Sequence, residues 1–427
     1  MYPKKPKSYL FASFATTLLL SAALAQPLCA QEQSNIASLF DHNYNGVRTD
    51  YIGVDQHVHE LFLSGATWQD ADLTAIAGGM YLSAESGLKS IGDGYSARVY
   101  YIGAEQDLHQ LLLSGGFWSD LDLSNLTNTV YVAAGSAIGS LFDTGDSSDA
   151  NFEVIHTDYV GDDQDIHELS ISGDASTLVS STAWTDTDLT VSSNASTYVA
   201  GGSSGLVNIV DPVNSSGSCC FDVRTYYIGA EQDVHELFYS GGAWQDGDLT
   251  MIAGGPSAAA GSKLASLFDT VYNGVRTYYI GADQDVHELF LSGSTWQDAD
   301  LSAITGGPHV TPGSALATLY DSKYSGVRTD YVATDQHVHE LFLSGGMWQD
   351  ADLTSIAGGI NVSGGSGLVG IVDPVYSNAV RDYYVGTDQH VHELFLSGGV
   401  WSDGDITLIT GASVPVANYR TSKQPLN

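Results

Sequence analysis

The stretch Arg276–Ser302, RTYYIGADQDVHELFLSGSTWQDADLS, decides the fold. RTYYIG is rich in β-branched and aromatic residues, DVHELFLSG alternates apolar with polar side chains, and TWQDADLS is polar and acidic. Gly, Asp and Ser separate these runs at hairpin lengths, as in GADQD and LSGST. Nothing repeats at helical spacing. With the short apolar KLASLFD just ahead, the segment predicts four short antiparallel strands.

Near copies begin at Arg48 and Arg328, and all seven tryptophans fall at one place in a repeat: Trp68, Trp118, Trp184, Trp244, Trp296, Trp348 and Trp401. Their spacings are 50, 66, 60, 52, 52 and 53 residues, and the long gaps flank Trp184, whose copy carries the insertion SGDASTLVSSTAW. A four-stranded unit recurring about every 50 residues is a propeller blade. The expectation is an all-β, seven-bladed β-propeller of four-stranded antiparallel blades over residues 31–427. LASLFD-type strands would face the axis. WQDADLT-type strands would form the rim, with Asp70 and Asp72 discouraging edge pairing in the first copy. The first copy begins with its own NIASLFD, so closure needs little strand exchange, and the tail ASVPVANYR is a candidate closing segment.

Charge narrows the partners. Fifty acids against 14 bases give a formal net charge of −36, a field that repels phosphate backbones and argues against nucleic acid. At the start, Lys4, Lys5 and Lys7 precede an apolar run from Leu10 to Ala25 and then small residues. Residues 1–30 read as a secretory signal, which predicts a secreted, periplasmic or extracellular protein. That run is short for a span, Cys29 lacks the Leu of a lipoprotein signal, and no later segment is long and apolar enough for membrane insertion. Cys219 and Cys220 are adjacent, so they form a strained vicinal disulfide or stay free, and no second pair makes them a zinc site.

A core repeats apolar residues; this chain also repeats a polar trio. Arg48, Glu60 and Trp68 lie twelve and then eight residues apart. The spacings return at Arg224, Glu236 and Trp244, at Arg276, Glu288 and Trp296, at Arg328, Glu340 and Trp348, and at Arg381, Glu393 and Trp401. The second copy has Arg98 and Gln110, and the third has His156 with Glu168 and a displaced Trp184. An arginine fork and a carboxylate together grip vicinal hydroxyls, and an indole face suits the C–H surface of a sugar ring. An Arg–Glu tie between strands with Trp packed between blades explains the same residues. Chemistry alone leaves both standing.

The Arg-x11-Glu-x7-Trp spacing, set in RTYYIG…VHEL…W, resembles the fungal fucose-specific lectin family, whose members are six-bladed propellers. It also resembles the seven-bladed fucose-binding lectins of bacteria. In the fungal family the sugar sits between blades, with Arg and Glu from one blade and an aromatic residue from the next. The resemblance therefore implies five sites for fucosylated or related glycans. Carried over by position, Arg48 and Glu60 face Trp118, Arg224 and Glu236 face Trp296, and Arg276 and Glu288 face Trp348. Arg328 and Glu340 face Trp401, and Arg381 and Glu393 face Trp68. The Arg98–Gln110 and His156–Glu168 pockets each lack one group and are expected to be weak or dead.

Other chemistry has less support. Each copy has a His just before the Glu position, from His59 to His392, and alternation puts it on the opposite strand face. Three copies read HVH, at His57, His337 and His390, while the others carry Asp at the first position, so no metal or other cofactor is expected. HELF lacks the second His of a zinc protease motif. A propeller glycosidase needs a single pair of acids at the axis, and no single-copy cluster stands apart from the repeats. A propeller that binds proteins on one face remains the main alternative to a lectin.

Overall fold

A computed structural model of the protein describes residues 35–84, 86–143, 153–178, 183–195, 199, 205–213, 222–311 and 313–416. The signal-like segment, Cys219 and Cys220 and the end of the tail lie outside the described residues. Blade 1 consists of β1 (Ile36–Asp41), β2 (Gly46–Ile52), β3 (Val58–Ser64) and β4 (Thr67–Asp72), followed by α1 (Leu73–Ala77). Six further four-stranded antiparallel sheets follow, spanning Leu88–Asp122, Ile138–Asp188, Leu206–Asp248, Leu264–Asp300, Leu316–Asp352 and Leu368–Asp405. The ring is a seven-bladed β-propeller.

Strand order in every sheet follows the chain. The β1-type strands pack on one another around the axis and the β4 type forms the rim. Each blade is covered on both faces by its neighbours, so β2 is buried along its whole length. That is why RTYYI and RTDYI read as continuous runs rather than as an alternation. Between blades 1 and 2, Ala37, Ile52 and Val58 meet Leu88, Tyr101 and Leu111 in one apolar cluster.

Two features differ from expectation. The rim strand ends at Asp72, and the next five residues form α1. Asp72 caps that helix by accepting from the Ala75 amide at 2.9 Å, and Gly78 ends it at φ 72°. Every blade is followed by such a helix, too short to show a helical period. The rim acids also have internal partners: Tyr51 Oη donates to Asp70 at 3.4 Å.

Closure uses no exchanged strand among the described residues. Leu82 bridges to Gly103 and Val362 to Gly386, linking successive blades, and Pro415 bridges in the same way to Gly53 of blade 1. The Val416 amide donates to the Ile52 carbonyl at 2.9 Å. The tail thus supplies the seventh inter-blade bridge. Among the described residues no helix is long and apolar enough to cross a membrane.

Candidate functional site

A channel of about 280 Å³ runs along the axis, lined by the innermost strands with Ser38, Lys89, Lys263 and Gly370. No carboxylate lines it among the described residues. The repeated polar residues lie instead in the clefts between blades.

In blade 1, Arg48 Nε donates to Asp41 Oδ2 at 2.7 Å and Nη1 to Glu60 Oε2 at 2.5 Å. The pattern recurs at Arg224 (Asp211, 2.9 Å; Glu236, 2.6 Å) and at Arg276 (Asp269, 2.8 Å; Glu288, 2.5 Å). Arg381 donates to Asp373 at 2.9 Å and to Glu393 at 2.5 Å, and Arg328 to Asp321 at 2.8 Å and to Glu340. The Asp residue was not singled out from the sequence. It recurs in all seven copies, but its distance to Arg varies with the length of the intervening turn, from five residues at Asp93 to thirteen at Asp211. Asp41 also shapes that turn, with Oδ1 accepting from the Asn43 and Tyr44 amides at 2.9 and 3.1 Å.

Each predicted tryptophan reaches the cleft of the preceding blade. Trp118 lies 5.8 Å from the Arg48 guanidinium carbon. Trp296 meets Tyr226 edge-on at 6.3 Å, Trp348 meets Tyr278 at 6.3 Å, and Trp68 meets Tyr383 at 6.2 Å, each Tyr standing two residues after the Arg of its cleft. Trp401 packs with Leu319, the strand partner of Arg328. Arg and Glu of each set are buried. Burial pushes the Glu60, Glu236, Glu288 and Glu340 carboxyls up, and their arginines offset that only in part.

The two incomplete clefts diverge. Arg98 keeps its partners, Asp93 at 2.8 Å and Gln110 at 2.8 Å, but its Nη2 also donates to the Leu178 carbonyl at 2.6 Å. Leu178 ends a one-turn helix, Ala175–Leu178, inside the insertion of blade 3, and its side chain packs against Tyr100 and Trp184. Arg98 is 0% exposed. This cleft is filled from within. In blade 3, His156 Nδ1 meets Glu168 Oε2 at 2.9 Å.

The repeated His is an internal clamp. His287 Nδ1 lies 3.1 Å from Asp298 and Nε2 3.2 Å from Asp283, with Tyr279 tilted against the ring at 5.3 Å. Burial opposes its charge, but the two carboxylates outweigh burial and its pKa is raised. Five groups, such as Asp55, His57 and Asp72, bring two Asp and one His within 4.8 Å of one another. Hydrogen bonds already occupy them: His57 Nδ1 meets Asp72 at 2.8 Å, and Asp72 is the α1 cap.

Five inter-blade clefts hold a guanidinium beside a carboxylate, with the indole of the next blade close by, which is the equipment of a carbohydrate-binding propeller. The chain belongs to the fungal fucose-specific lectin family, whose sequence pattern it matches over residues 196–426. Lectins bind sugars without transforming them. No curated protein matches the sequence. The fold is similar to that of the BP39L lectin from Burkholderia pseudomallei, 13% identical, at a TM-score of 0.66 over 88% of this chain and 98% of that one. It is also similar to AofleA from Arthrobotrys oligospora, 14% identical, at a TM-score of 0.51 over 75% of this chain and 87% of that one. At such identities the likeness is one of fold.

Proposed function

We propose that this protein is a secreted, multivalent fucose-binding lectin with five sugar sites in the clefts of Arg48, Arg224, Arg276, Arg328 and Arg381. The observation that carries the reading is the plugged cleft. There a carbonyl oxygen sits 2.6 Å from Arg98 Nη2. The same position in the other clefts is where a sugar hydroxyl would accept from arginine, while the neighbouring Glu accepts from a second hydroxyl. The indole of the next blade supports the apolar face of the ring. Family membership supports fucose as the sugar, and the signal-like residues 1–30 support secretion. Shallow sites become useful by number, with avidity gains of about 10² to 10⁴ where several engage one surface.

Calorimetric titration of the mature protein with L-fucose tests this. Saturable binding near five sugars per chain is expected. A protein that ignores fucose and every sugar on a glycan array would instead be a protein-binding propeller.

A further inference from the structure

The turn between the first and second strands carries a tyrosine in four of the five complete copies: Tyr44, Tyr272, Tyr324 and Tyr376. Each is between 39% and 49% exposed, although it lies next to a buried arginine. Their rings stand 5.4, 5.4, 5.8 and 5.2 Å from the guanidinium carbons of Arg48, Arg276, Arg328 and Arg381.

Each hydroxyl crosses the mouth of the cleft. Tyr376 Oη donates to the Gly65 carbonyl of blade 1 at 2.7 Å. Tyr44 and Tyr272 arrive at Gly116 and Gly346, where a Cβ would stand 3.4 Å from the hydroxyl. Those glycines lie in the turn two residues ahead of Trp118 and Trp348. Tyrosine and tryptophan therefore flank the same arginine from two blades. Beside Tyr272 a cavity of about 260 Å³ is lined also by Asp269, Tyr324, Leu343 and Gly346, which gives the ring space to move as a ligand enters.

The fifth complete copy is different. Between Asp211 and Arg224 the sequence DPVNSSGSCCFDVR contains no tyrosine. The Arg224 guanidinium carbon lies 5.5 Å from the Phe238 ring, against 4.0 to 4.2 Å for the matching phenylalanines in the four tyrosine-bearing copies. Where tyrosine is present, the arginine lies close over the phenylalanine ring and beside the tyrosine ring, which stands at right angles to it at Tyr44–Phe62 and Tyr376–Phe395.

We propose that Tyr44, Tyr272, Tyr324 and Tyr376 form a second aromatic wall that closes over the bound sugar opposite the tryptophan, giving four sites a tyrosine roof that the Arg224 site lacks. This rests on the sugar-binding reading above. A roofed pocket contacts the sugar on both faces and disfavours bulky substituents on the covered face.

The test is calorimetry on the unaltered protein and on the variant Tyr44→Ala/Tyr272→Ala/Tyr324→Ala/Tyr376→Ala, with thermal melts to confirm folding. In the variant, four sites should weaken by about tenfold, the scale of one lost aromatic face, while a single site keeps its affinity. The corresponding Tyr→Phe variant keeps the rings and should restore all four, which a merely structural role for the hydroxyl would not predict. Unchanged affinity at all five sites in the folded Ala variant would overturn the wall alone. Absence of fucose binding by the unaltered protein would overturn the sugar reading and the wall with it. Should the Ala variant fail to fold, Tyr44→Ala alone serves: one weakened site of five supports the wall, and five equal sites refute it.

Discussion

The clefts on either side of blade 2 share one design and differ in what fills them. Between blades 1 and 2, Arg48 is held by Asp41 and Glu60 with Trp118 beside it. Between blades 2 and 3, Arg98 is held by Asp93 and Gln110, and Leu178 occupies the remaining space with its carbonyl on Nη2. An arginine paired only for structural reasons would not need a substitute partner once its carboxylate became an amide. That the chain supplies a backbone oxygen there identifies Nη2 as a donor that wants an acceptor, since a buried donor left unpaired is costly. Under the proposed reading a sugar hydroxyl is the further acceptor in the open clefts, beside Asp211 Oδ2 in the Arg224 cleft, which already lies 2.9 Å from Nη2.

The largest effect should follow from making every open cleft polar like the filled one. Replacing Glu60, Glu236, Glu288, Glu340 and Glu393 by Gln removes the charge-assisted half of each site, and fucose affinity should fall by about 100-fold or more, two charged hydrogen bonds at roughly 1.5–3 kcal/mol each. The fold should survive, because the Arg98–Gln110 pair at 2.8 Å already shows that the blade accepts Gln at this position. Calorimetry beside far-ultraviolet circular dichroism checks both halves. Binding that persists at unaltered strength would return the trio to a structural role.

Much of this architecture was legible because repetition reveals it. Seven Trp positions gave the blade number, and the twelve- and eight-residue spacings gave the trio, since the second, third and fourth strands keep their lengths in the five complete copies. What was missed lies where copies differ or where contacts cross strands. The Asp41-type ligand hid behind a turn of changing length. Tyr44 and its equivalents sit in that same turn, and an exposed turn tyrosine has no periodic signal. Leu178 occurs in one copy only, so no comparison among repeats could point to it. The rim acids lie on an edge strand as expected, and Asp72 also caps a helix and Asp70 also partners Tyr51; the cap depends on a five-residue helix with no detectable period.

Opening the filled cleft should give the next largest effect. Replacing residues 173–182 by the two-residue Gly-Gly turn of blades 2, 4, 6 and 7, together with Gln110→Glu, restores the polar set around Arg98. The number of fucose molecules bound should rise by one, read as calorimetric stoichiometry. Leu178→Ala alone leaves the backbone carbonyl in place and should add no site. It should instead cost about 2–4 kcal/mol of stability in chemical denaturation, the usual range for a buried leucine, because Leu178 is 1% exposed and packs on Trp184. An extra site in the Leu178→Ala protein would mean that the side chain, not the carbonyl, is what closes the cleft.

The smallest effect separates clefts by a residue deeper in. Two positions after the Arg stand Tyr226, Tyr278 and Tyr383 in blades 4, 5 and 7, each donating its hydroxyl to the neighbouring Glu at 2.9 to 3.0 Å. Blades 1, 3 and 6 carry Asp50, Asp158 and Asp330 there, all fully buried. Asp50 accepts from Ser90 and Asp158 from Thr225, both at 2.6 Å. Asp330 instead faces a second carboxyl, Asp382, across a seam where Gly370 stands in the place of Ser38 and its equivalents, Ser90, Ser140, Ser266 and Thr318. Burial first, then nearby carboxylates, pushes Asp50 up to about 8 and Asp158 and Asp382 to about 7, with Asp330 raised as well. These folded values lie above the roughly 3.9 of a free aspartate. The stability they contribute is therefore complete below about pH 4 and is lost as pH rises through about 7 to 8. The clamped histidines, raised above their ordinary value, lose their contribution in the same direction, so a falling melting temperature alone does not separate the two. Asp50→Asn and Asp330→Asn do, because they remove the buried acid and leave the histidines intact. Each should flatten the decline in melting temperature between pH 6 and pH 9 in proportion to its share, while Tyr278→Phe, in a cleft with no buried aspartate at this position, should leave the slope unchanged. Equal slopes in all three variants would mean that the histidine clamps and the raised cleft glutamates, rather than the buried aspartates, carry the pH dependence.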